Sequence, residues 1–421
     1  MSDTGPGIGS RLSPSPSPNT SPNTSPRTSP SPTSASPGTA HVLPAYGRSA
    51  LSDLLPAILA ALGVADAPNP LGLAPTRRAC VFLVDGMGAR LIERNPDAAP
   101  FMAAALRTNR DLTAGFPSTT AASIGSLGTG LPSGASGMLG YRVLVPGTHR
   151  MINLLRWDAP VDPVEWQPRE TVFERAEREG IEVTQVTAAR FQDSGLTRSV
   201  LRGGTFTGAE SLVNRVAAAL ATLTDAAERD ARSLVYLYYA DLDAAGHVSG
   251  VASETWREQL ATVDATVREL AARLPAGTTL YVTADHGMVD VPADRRVDVD
   301  EDPELQVGVR LLGGEGRARH VYAKPGAARD VLQIWREALE DIAVVRSREE
   351  AIFEGWFGPP EAVAADLAPR IGDVVAALLA DWAVVATRRE KLESRLFGMH
   401  GSLSAAEQQV PLLVFASGQA P

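Results

Sequence analysis

The sequence predicts an α/β fold in which a doubly wound, largely parallel central sheet is flanked by helices. Several runs of strand length are apolar on both faces, which is typical of buried parallel strands. Between them lie segments that carry apolar residues at helical spacing. The two kinds of segment alternate along the chain, and this alternation is typical of an α/β sheet rather than of an all-helical or all-strand protein.

The predicted elements follow this alternation from about residue 42 onward. The predicted strands are residues 79–84, 182–187, 233–239, 279–284 and 410–415. The predicted helices are residues 172–180, 209–223 and 253–274, the first of which ends at a glycine. Residues 290–395 interrupt the series, and we expect them to form a cap or subdomain within a catalytic domain that spans residues 42–421.

Residues 1–41 form a tract rich in Ser, Pro and Thr. Such a composition cannot bury enough apolar surface to offset the entropy lost on ordering, so we expect a disordered tail. The N-terminus has no apolar stretch of the kind found in secretory signals, and no run approaches the roughly 18 apolar residues of a spanning helix. The expectation is therefore a protein without a membrane span, located in the cytoplasm.

Composition limits the classes of function. The chain has 421 residues, 44% of them hydrophobic and 21% charged, which is enough to bury a large core. Its formal net charge of −10 argues against a surface that binds nucleic-acid duplexes, although bound cations would still allow a small phosphorylated substrate. The single cysteine, Cys80, excludes an intramolecular disulfide and a multi-cysteine zinc site. The sequence does not specify the oligomeric state.

Four short motifs contain the Asp and His side chains that bind divalent metals. They are LVDGMG at 83–88, DLDAAGH at 241–247, ADHGM at 284–288 and GMHG at 398–401. Three of the six histidines fall within them. The first three motifs follow predicted strands, and the carboxyl ends of parallel strands are where open α/β sheets build their sites. Taken singly, Asp85 could be a turn residue before glycine and His286 could end a strand, so the prediction rests on the convergence of all four.

Asp243 and His247 are four residues apart, so they would face the same way if the segment coils after its strand. Both could then bind one metal ion. Asp241 is the main alternative to Asp243, although a role in a turn or behind the ligands suits it better.

The segment FPSTTAAS at 116–123 offers a nucleophile. Thr119 and Thr120 precede a stretch of small residues that reads as the start of a helix. A hydroxyl at a helix N-terminus meets the positive end of the helix dipole and free backbone amides, which favour a bound phosphate. The alternative is that Ser118 or Thr119 only caps the helix.

The order of these motifs resembles the alkaline phosphatase superfamily, and within it the type I phosphodiesterase/nucleotide pyrophosphatase family. The resemblance covers about residues 77–415. It implies an alkaline-phosphatase-like fold with two divalent metal ions, most commonly zinc, with manganese as the alternative. It assigns one ion to Asp85, Asp285 and His286 together with Thr120, and the other to Asp243, His247 and His400.

The resemblance also places the nucleophile at Thr120 rather than Thr119. Two cations roughly 4 Å apart can hold the attacking and the leaving oxygen of an in-line displacement at phosphorus. The implied activity is hydrolysis of a phosphodiester or a nucleotide pyrophosphate through a phosphothreonine intermediate, with net retention at phosphorus.

Substrate contacts are expected from residues near the nucleophile. Ser123 lies three residues beyond Thr120 and can donate a hydrogen bond to the transition state. Residues 137–157 are rich in aromatic and basic groups, of which Tyr141, Arg142 and Trp157 are candidates for lining the pocket. In the segment 290–395, Arg319 and His320 are either phosphate contacts or structural residues of a strand edge.

Other functions remain open from the sequence. A phosphomonoesterase or phosphotransferase of the same superfamily would use the same ligands. A catalytically silent metal- or ligand-binding protein could keep the fold, although intact ligand chemistry at each motif argues against it. A sulfatase is disfavoured because no C/S-x-P-x-R pattern stands at a suitable place after Asp85.

Overall fold

A computed structural model of the protein describes residues 41–418. The predicted Ser/Pro/Thr-rich tail therefore lies outside the described residues, apart from His41. The α-helices are α1 (Leu54–Ala61), α2 (Ala89–Arg94), α3 (Pro100–Leu106), α4 (Thr120–Thr129), α5 (Ser133–Ser136), α6 (Pro163–Trp166), α7 (Val172–Arg178), α8 (Gly195–Val200), α9 (Leu212–Glu228), α10 (Asp241–Ser249), α11 (Glu254–Arg273), α12 (Pro303–Gln306), α13 (Ala328–Ala338), α14 (Arg348–Phe353) and α15 (Ala405–Gln408).

The β-strands form one large sheet and several smaller ones. They are β1 (Arg78–Val84), β2 (Arg110–Thr113), β3 (Arg142–Leu144), β4 (Met151–Asn153), β5 (Glu182–Thr187), β6 (Thr205–Gly208), β7 (Ser233–Tyr239), β8 (Thr278–Thr283), β9 (Val289–Asp290), β10 (Arg296–Asp298), β11 (Val309–Glu315), β12 (Ala318–Ala323), β13 (Ala343–Ser347), β14 (Val374–Leu378), β15 (Ala383–Val385), β16 (Gly398–Met399) and β17 (Gln409–Ala416).

The large sheet confirms the predicted fold class. Its seven strands run in the order β2-β17-β8-β1-β7-β5-β6. The five strands from β8 to β6 are parallel, whereas β17 is antiparallel to both β8 and β2. Every residue of β1, β7 and β8 is buried, as their continuous apolar runs predict for strands covered on both faces.

The flanking helices begin and end at residues that the sequence marks clearly. Ser211 and Ser253 cap α9 and α11, where each hydroxyl accepts a hydrogen bond from a backbone N–H in the first turn. Helix α9 packs on β7, β1 and β5, and α11 contacts β8. Their buried residues recur at three- and four-residue intervals, so one apolar stripe of each helix faces the protein interior.

The segment between β8 and the last predicted motif builds a second sheet. It has four strands in the order β11-β12-β14-β13, each antiparallel to its neighbour. Its own apolar core includes Trp335 from α13 and Val374 from β14. This sheet lies within residues 290–395, where a cap or subdomain is predicted.

Two short paired strands hold the two ends of this segment together. Strand β9 directly follows the ADHGM motif and pairs with β16, which is formed by the first two residues of the GMHG motif. The ladder brings the two motifs together although 285 and 400 are far apart in the chain. Among residues 41–418, no helix is long and apolar enough to cross a membrane.

Candidate functional site

Three adjacent parallel strands deliver predicted ligands to one edge of the large sheet. Strand β1 lies between β7 and β8, in register with both. Asp85 directly follows β1, Asp243 lies in the first turn of α10 just after β7, and Asp285 and His286 follow β8. The predicted meeting of these side chains at the carboxyl edge therefore follows from the strand order.

Asp85, Asp285 and His286 form the first of two groups that can hold a metal ion. His286 Nε2 lies 3.4 Å from Asp85 Oδ1 and 3.5 Å from Asp285 Oδ2. The other oxygen of Asp285 accepts hydrogen bonds of 3.1 Å from the backbone N–H groups of Gly86 and His286. One oxygen of Asp285 is thus fixed by the backbone, and the other faces His286.

Asp243, His247 and His400 form the second group. Helix α10 carries Asp243 and His247 one turn apart, and His247 Nε2 lies 3.3 Å from Asp243 Oδ2. His400 Nε2 lies 4.0 Å from Asp243 Oδ1. The rings of His400 and His286 stack with centroids 3.6 Å apart, so the two groups are direct neighbours.

The loop that carries His400 is held against the loop before α4. Ser118 N–H donates to the carbonyl oxygen of Gly401 at 3.0 Å, and its hydroxyl donates to the carbonyl oxygen of Ser402 at 2.7 Å. Together with the β9–β16 ladder, these bonds position a histidine whose own sequence neighbourhood gives no structural signal. They also place the loop beside Thr120.

The histidine side chains have the orientation that metal binding requires. Nδ1 of His247 lies 2.8 Å from the Gly398 carbonyl oxygen, and Nδ1 of His400 lies 3.0 Å from that of Ser118. In His286, Nδ1 lies 3.0 Å from the carbonyl oxygen of Gly287. A carbonyl oxygen only accepts, so each Nδ1 carries the proton and each Nε2 is left with a free lone pair. Backbone carbonyls commonly hold ligating histidines in this way.

The carboxylates fit a cation as well. Asp85 Oδ1, Asp243 Oδ1 and Asp285 Oδ2 are buried oxygens without a hydrogen-bond partner among the described residues. Buried polar atoms nearly always have partners, and three such carboxylate oxygens around three histidine lone pairs are the donor set of a divalent ion. Burial, followed by the charges of Asp285 and Asp243, raises the pKa of Asp85 well above its ordinary value. A bound cation would favour the ionised form of these carboxylates.

Two further residues support the first group from behind. Tyr238 of β7 donates a hydrogen bond from its hydroxyl to Asp85 Oδ2. Gly86 has φ of +73°, and a Cβ at this position would lie 3.1 Å from the side chain of Asp243. A side chain at position 86 would therefore be strained and would crowd the second group as well.

Thr120 lies at the N-terminus of a buried helix beside both groups. It is the first residue of α4, and Thr119 precedes it as the N-cap without a capping side-chain bond. Thr120 Oγ1 lies 3.2 Å from Nε2 of His286. The Thr119 hydroxyl instead donates to Glu315 Oε2 at 3.0 Å. The two neighbouring threonines thus have different surroundings, and Thr120 is the one beside the first metal group.

A cavity of about 440 Å³ opens over Thr120 and both groups. Its volume is in the range of small-molecule sites. Leu155, Arg156, Phe191, Leu196, Glu315 and Leu392 line it together with four residues of the two groups, Asp85, Asp243, His247 and His400. Its walls come from the large sheet, from α4 and α8, and from the inserted segment.

The residues predicted to contact substrate are distributed unevenly. Tyr141 lines the cavity, and its hydroxyl donates to Glu393 Oε1 at 3.1 Å. Arg142 is not among the lining residues and forms an ion pair of 3.3 Å with Glu390. Ser123 is fully buried within α4 and its hydroxyl has no hydrogen-bond partner in the described part of the chain, but it does not line the cavity. Trp157 also lies away from the cavity surface and donates to the carbonyl oxygen of Val161.

Arg319 and His320 occupy structural positions on β12. Arg319 is buried and forms an ion pair of 2.8 Å with Glu390. His320 accepts a hydrogen bond of 3.0 Å from the backbone N–H of Gly372 through Nδ1. Neither residue lines the cavity. Asp241 is exposed and belongs to neither metal group, in keeping with a place outside the ligand sets.

Sequence reasoning missed several residues of the cavity. Glu315 reaches it from the end of β11, and Arg156 and Phe191 come from loops that carry no recognisable motif. Within residues 137–157 the sequence pointed to Tyr141, Arg142 and Trp157, but Tyr141, Leu155 and Arg156 are the residues of that stretch that line the cavity. No local pattern distinguishes these positions, since the tertiary fold alone brings them together.

Comparison with known proteins gives one family and several related structures. The sequence model of a family described as "Type I phosphodiesterase / nucleotide pyrophosphatase" matches residues 79–403. No match was found among curated protein sequences.

Similar solved structures include ectonucleotide pyrophosphatase/phosphodiesterases of mouse and human. An inactive variant of the murine ectonucleotide pyrophosphatase/phosphodiesterase 5 in complex with AMP superposes with a TM-score of 0.63 at 20% identity, covering 80% of this chain and 87% of that chain. The human ectonucleotide pyrophosphatase/phosphodiesterase 5 gives a TM-score of 0.63 at 19% identity over 80% and 87% of the two chains. At this level of identity, the superpositions show a shared fold.

Proposed function

The chain belongs to the type I phosphodiesterase/nucleotide pyrophosphatase family, and we propose that it is a two-metal phosphodiesterase that works through a phosphothreonine intermediate on Thr120. Membership makes the protein a hydrolase of a metal-dependent family that acts on small phosphorylated substrates. The proposal adds the nucleophile, the number of ions and the kind of ester.

The observation that carries the proposal is the place of Thr120. Its hydroxyl stands 3.2 Å from His286 Nε2, at the N-terminus of a ten-residue helix and on the wall of the cavity. Free N–H groups and the helix dipole at this point favour the negative charge of a phosphoryl group. Thr119, whose hydroxyl is bound to Glu315, is the weaker candidate.

Two ions suit the donor set. Asp85, Asp285 and His286 would hold one ion together with the Thr120 hydroxyl, and Asp243, His247 and His400 would hold the other. Nitrogen and carboxylate donors of this kind suit zinc, with manganese as the alternative. When bound, the ions would lower the pKa of the adjacent hydroxyl and balance the negative charge on the reacting oxygens.

The chemistry of the chain itself is a double displacement. In the first step the Thr120 hydroxyl loses its proton, its oxygen forms a bond to phosphorus, and the bond from phosphorus to the leaving alcohol breaks. The alcohol takes up a proton as it leaves. In the second step a water oxygen bonds to phosphorus, the bond to Thr120 breaks, and Thr120 recovers a proton. The sum is the addition of water across one ester bond.

Charge around the cavity favours a diester over a monoester. Among the described residues that line it, Arg156 is the only Arg or Lys, and outside the two donor groups Glu393 is acidic. A phosphodiester has one negative charge and a monoester has up to two near neutral pH, so the monoester loses more from this balance. The AMP complex of the murine relative makes a nucleotide one candidate for the organic part of the substrate.

The test is a paired assay of bis(4-nitrophenyl) phosphate and 4-nitrophenyl phosphate, with protein loaded with zinc or manganese. We expect metal-dependent release of nitrophenol, faster from the diester, and at least about a thousandfold loss in Thr120→Ala because the nucleophile is removed. Thr129→Ala is the matched control, because it removes the same atoms from a threonine at the far end of α4, away from the cavity. Equal activity of Thr120→Ala and Thr129→Ala would overturn the covalent mechanism.

A further inference from the structure

The cavity continues from Thr120 along the face of the large sheet into a region that the proposed reaction does not use. We call this region the inner pocket and define it by Ile124, Thr187, Phe191, Leu196, Leu201 and Tyr236, all of which line the cavity. Ile124 lies one turn beyond Thr120 on α4, so the inner pocket begins beside the proposed nucleophile.

The floor of the inner pocket is set by the register of two parallel strands. Gln185 of β5 pairs with Tyr236 of β7, and Thr187 therefore stands level with Tyr238. Side chains two residues apart point to the same face of a strand, so these four share one face. Tyr238 binds Asp85, and Tyr236 lies one pleat, or about 7 Å of backbone, further from the catalytic edge.

Two hydroxyl groups on this floor are buried and have no partner. Tyr236 is 1% exposed and Thr187 is 4% exposed, and neither hydroxyl has a hydrogen-bond partner among the described residues. Gln185, by contrast, donates to the carbonyl oxygens of Leu201 and Gly203 at 2.7 and 2.9 Å. A buried hydroxyl without a partner is unfavourable, so two on residues that line the same cavity indicate a polar atom of a ligand.

The hydroxyl of Tyr236 is available as a hydrogen-bond donor. Burial, followed by the carboxylates of Asp285 and Asp85, raises the pKa of Tyr236 well above its ordinary value. The phenol therefore keeps its proton and can donate a hydrogen bond to an acceptor atom of a ligand.

The walls of the inner pocket are apolar. Ile124, Phe191, Leu196 and Leu201 supply them, and none of the six defining residues carries a charge. Gln185, Ser194 and Thr197 also line the cavity, but their side chains are hydrogen-bonded within the protein. The charged lining residues belong to the metal groups or to Arg156, Glu315 and Glu393. A nucleoside would set several ribose and base polar groups against these apolar walls and leave most of them without partners.

Building on the proposed function, we propose that the inner pocket binds an uncharged alkyl or aryl group of the phosphodiester, one that carries a single ether or carbonyl oxygen within reach of Tyr236 and Thr187. The substrate class is thus a phosphodiester of an apolar alcohol rather than a nucleotide. The apolar walls supply affinity, and the two hydroxyls select a chain that contains an acceptor oxygen.

The test compares 4-nitrophenyl phosphodiesters that share a leaving group and differ only in the second alcohol. The esters are those of methanol, octanol and thymidine, together with an octyl analogue in which one chain CH₂ is replaced by an ether oxygen. We expect kcat/KM for the octyl ester to exceed that for the thymidine ester by at least about tenfold. We expect the ether analogue to be the better of the two long esters, and Tyr236→Phe to abolish that preference.

A second variant tests the apolar wall. Leu196 is half-buried, so Leu196→Asn should fold, and it should lower the ratio of kcat/KM for the octyl ester to kcat/KM for the methyl ester about tenfold. Leu332→Asn, at a half-buried leucine on α13 outside the cavity, is the control and should leave this ratio unchanged. A preference for the thymidine ester, or an equal loss on the methyl and octyl esters in Leu196→Asn, would overturn the inference.

Binding separates this inference from the proposed function. Calorimetry measures the dissociation constant of octyl phosphate on Thr120→Ala protein, which reports on the inner pocket in the absence of catalysis. We expect octyl phosphate to bind, and the additional change Leu196→Asn to weaken this binding about tenfold. If no ester is hydrolysed but this pattern of binding is found, the proposed function fails and the inner pocket stands. If octyl phosphate binds no better than thymidine 5′-phosphate, the inference fails even for an active enzyme.

Discussion

Glu315 accepts a hydrogen bond of 3.0 Å from Thr119, the residue directly before the proposed nucleophile. Glu315 ends β11 in the inserted sheet, whereas Thr119 belongs to the loop before α4. The second carboxylate oxygen of Glu315, Oε1, is buried and has no hydrogen-bond partner within residues 41–418, and Oε2 also lies 3.8 Å from Nδ1 of His400. The inserted segment thus contributes one carboxyl to the catalytic centre and ties it to the N-terminus of the nucleophile helix.

Replacing Glu315 should slow the reaction by loosening Thr119 and, through it, Thr120. We expect Glu315→Ala to lower kcat for bis(4-nitrophenyl) phosphate about tenfold, because one buried hydrogen bond of about 1–2 kcal/mol is lost. Glu315→Gln keeps an acceptor oxygen and should retain most of kcat. Steady-state kinetics on the two variants checks this, and an alanine variant as active as the glutamine variant would contradict it.

Tyr238 should matter for metal affinity, because its hydroxyl holds Asp85 in place. Removing a group that orients a metal ligand commonly costs about 10–100-fold in affinity, and we expect Tyr238→Phe to fall in that range. Competition with a zinc chelator measures the effect. Tyr239→Phe is the control, since the Tyr239 hydroxyl donates to Gln259 away from the site, and unchanged zinc affinity in Tyr238→Phe would exclude this role.

The two donor groups should be separable by metal content. Elemental analysis of zinc-loaded protein should give two ions per chain. Asp243→Ala should lose the ion of the second group and, with it, nearly all of the hydrolytic activity. The neighbouring Asp241→Ala provides the control, because Asp241 is exposed and outside both groups. A chelator should abolish hydrolysis and zinc should restore it. A single ion in the wild-type protein would contradict the arrangement.

His320 should make the folded state less stable in mild acid. Burial, followed by the charge of Arg348, lowers the pKa of His320 from 6.5 to about 3. A histidine whose pKa is lower in the folded than in the unfolded protein binds its proton more readily when unfolded. The free energy of unfolding is therefore highest above pH 6.5, the unfolded pKa, and decreases as pH falls from 6.5 towards the folded pKa of about 3. At pH 5 the loss should be about 2 kcal/mol.

The measurement for His320 is the free energy of unfolding by denaturant at pH 7 and at pH 5. In His320→Asn the amide oxygen can accept the hydrogen bond from the Gly372 N–H, and the variant has no ring to protonate. The expected result is a smaller fall between the two pH values in the variant, whatever its absolute stability. Equal falls in both proteins would exclude His320 as the cause.

The sequence is most informative where chemistry and periodicity act locally. Strands β5 and β7 begin and end at the predicted residues. Strand β1 begins one residue earlier than predicted, and β8 and β17 each differ from the prediction by one residue at both ends. Buried strands of continuous apolar residues leave little choice of register or face. The apolar runs do not predict that β17 is antiparallel to its neighbours, because a run shows burial and not direction. They also do not predict β2 and β6, because these short edge strands are less buried and have no continuous apolar run.

The same distinction applies to the site. Ligand motifs at strand ends can be read from the sequence because the fold class determines which edge they share. Glu315, Phe191 and Tyr236 could not be assigned in this way, since each occupies an ordinary strand or loop and reaches the cavity only through long-range packing. Arg142 shows the opposite error, a residue that the sequence assigned to the cavity but that lies outside it. It is basic and close to the nucleophile in sequence, but its side chain forms an ion pair with Glu390.

The central claim is that Thr120 becomes covalently bound to phosphorus during turnover. Rapid acid quenching of the zinc-loaded protein with bis(4-nitrophenyl) phosphate, followed by peptide mass spectrometry, tests it directly. The predicted result is a transient nitrophenyl-phosphoryl group on Thr120, which appears with a burst of nitrophenol and is missing in Thr120→Ala. Continuous turnover without a burst, with Thr120 unmodified at every time point and full activity in Thr120→Ala, would contradict the account.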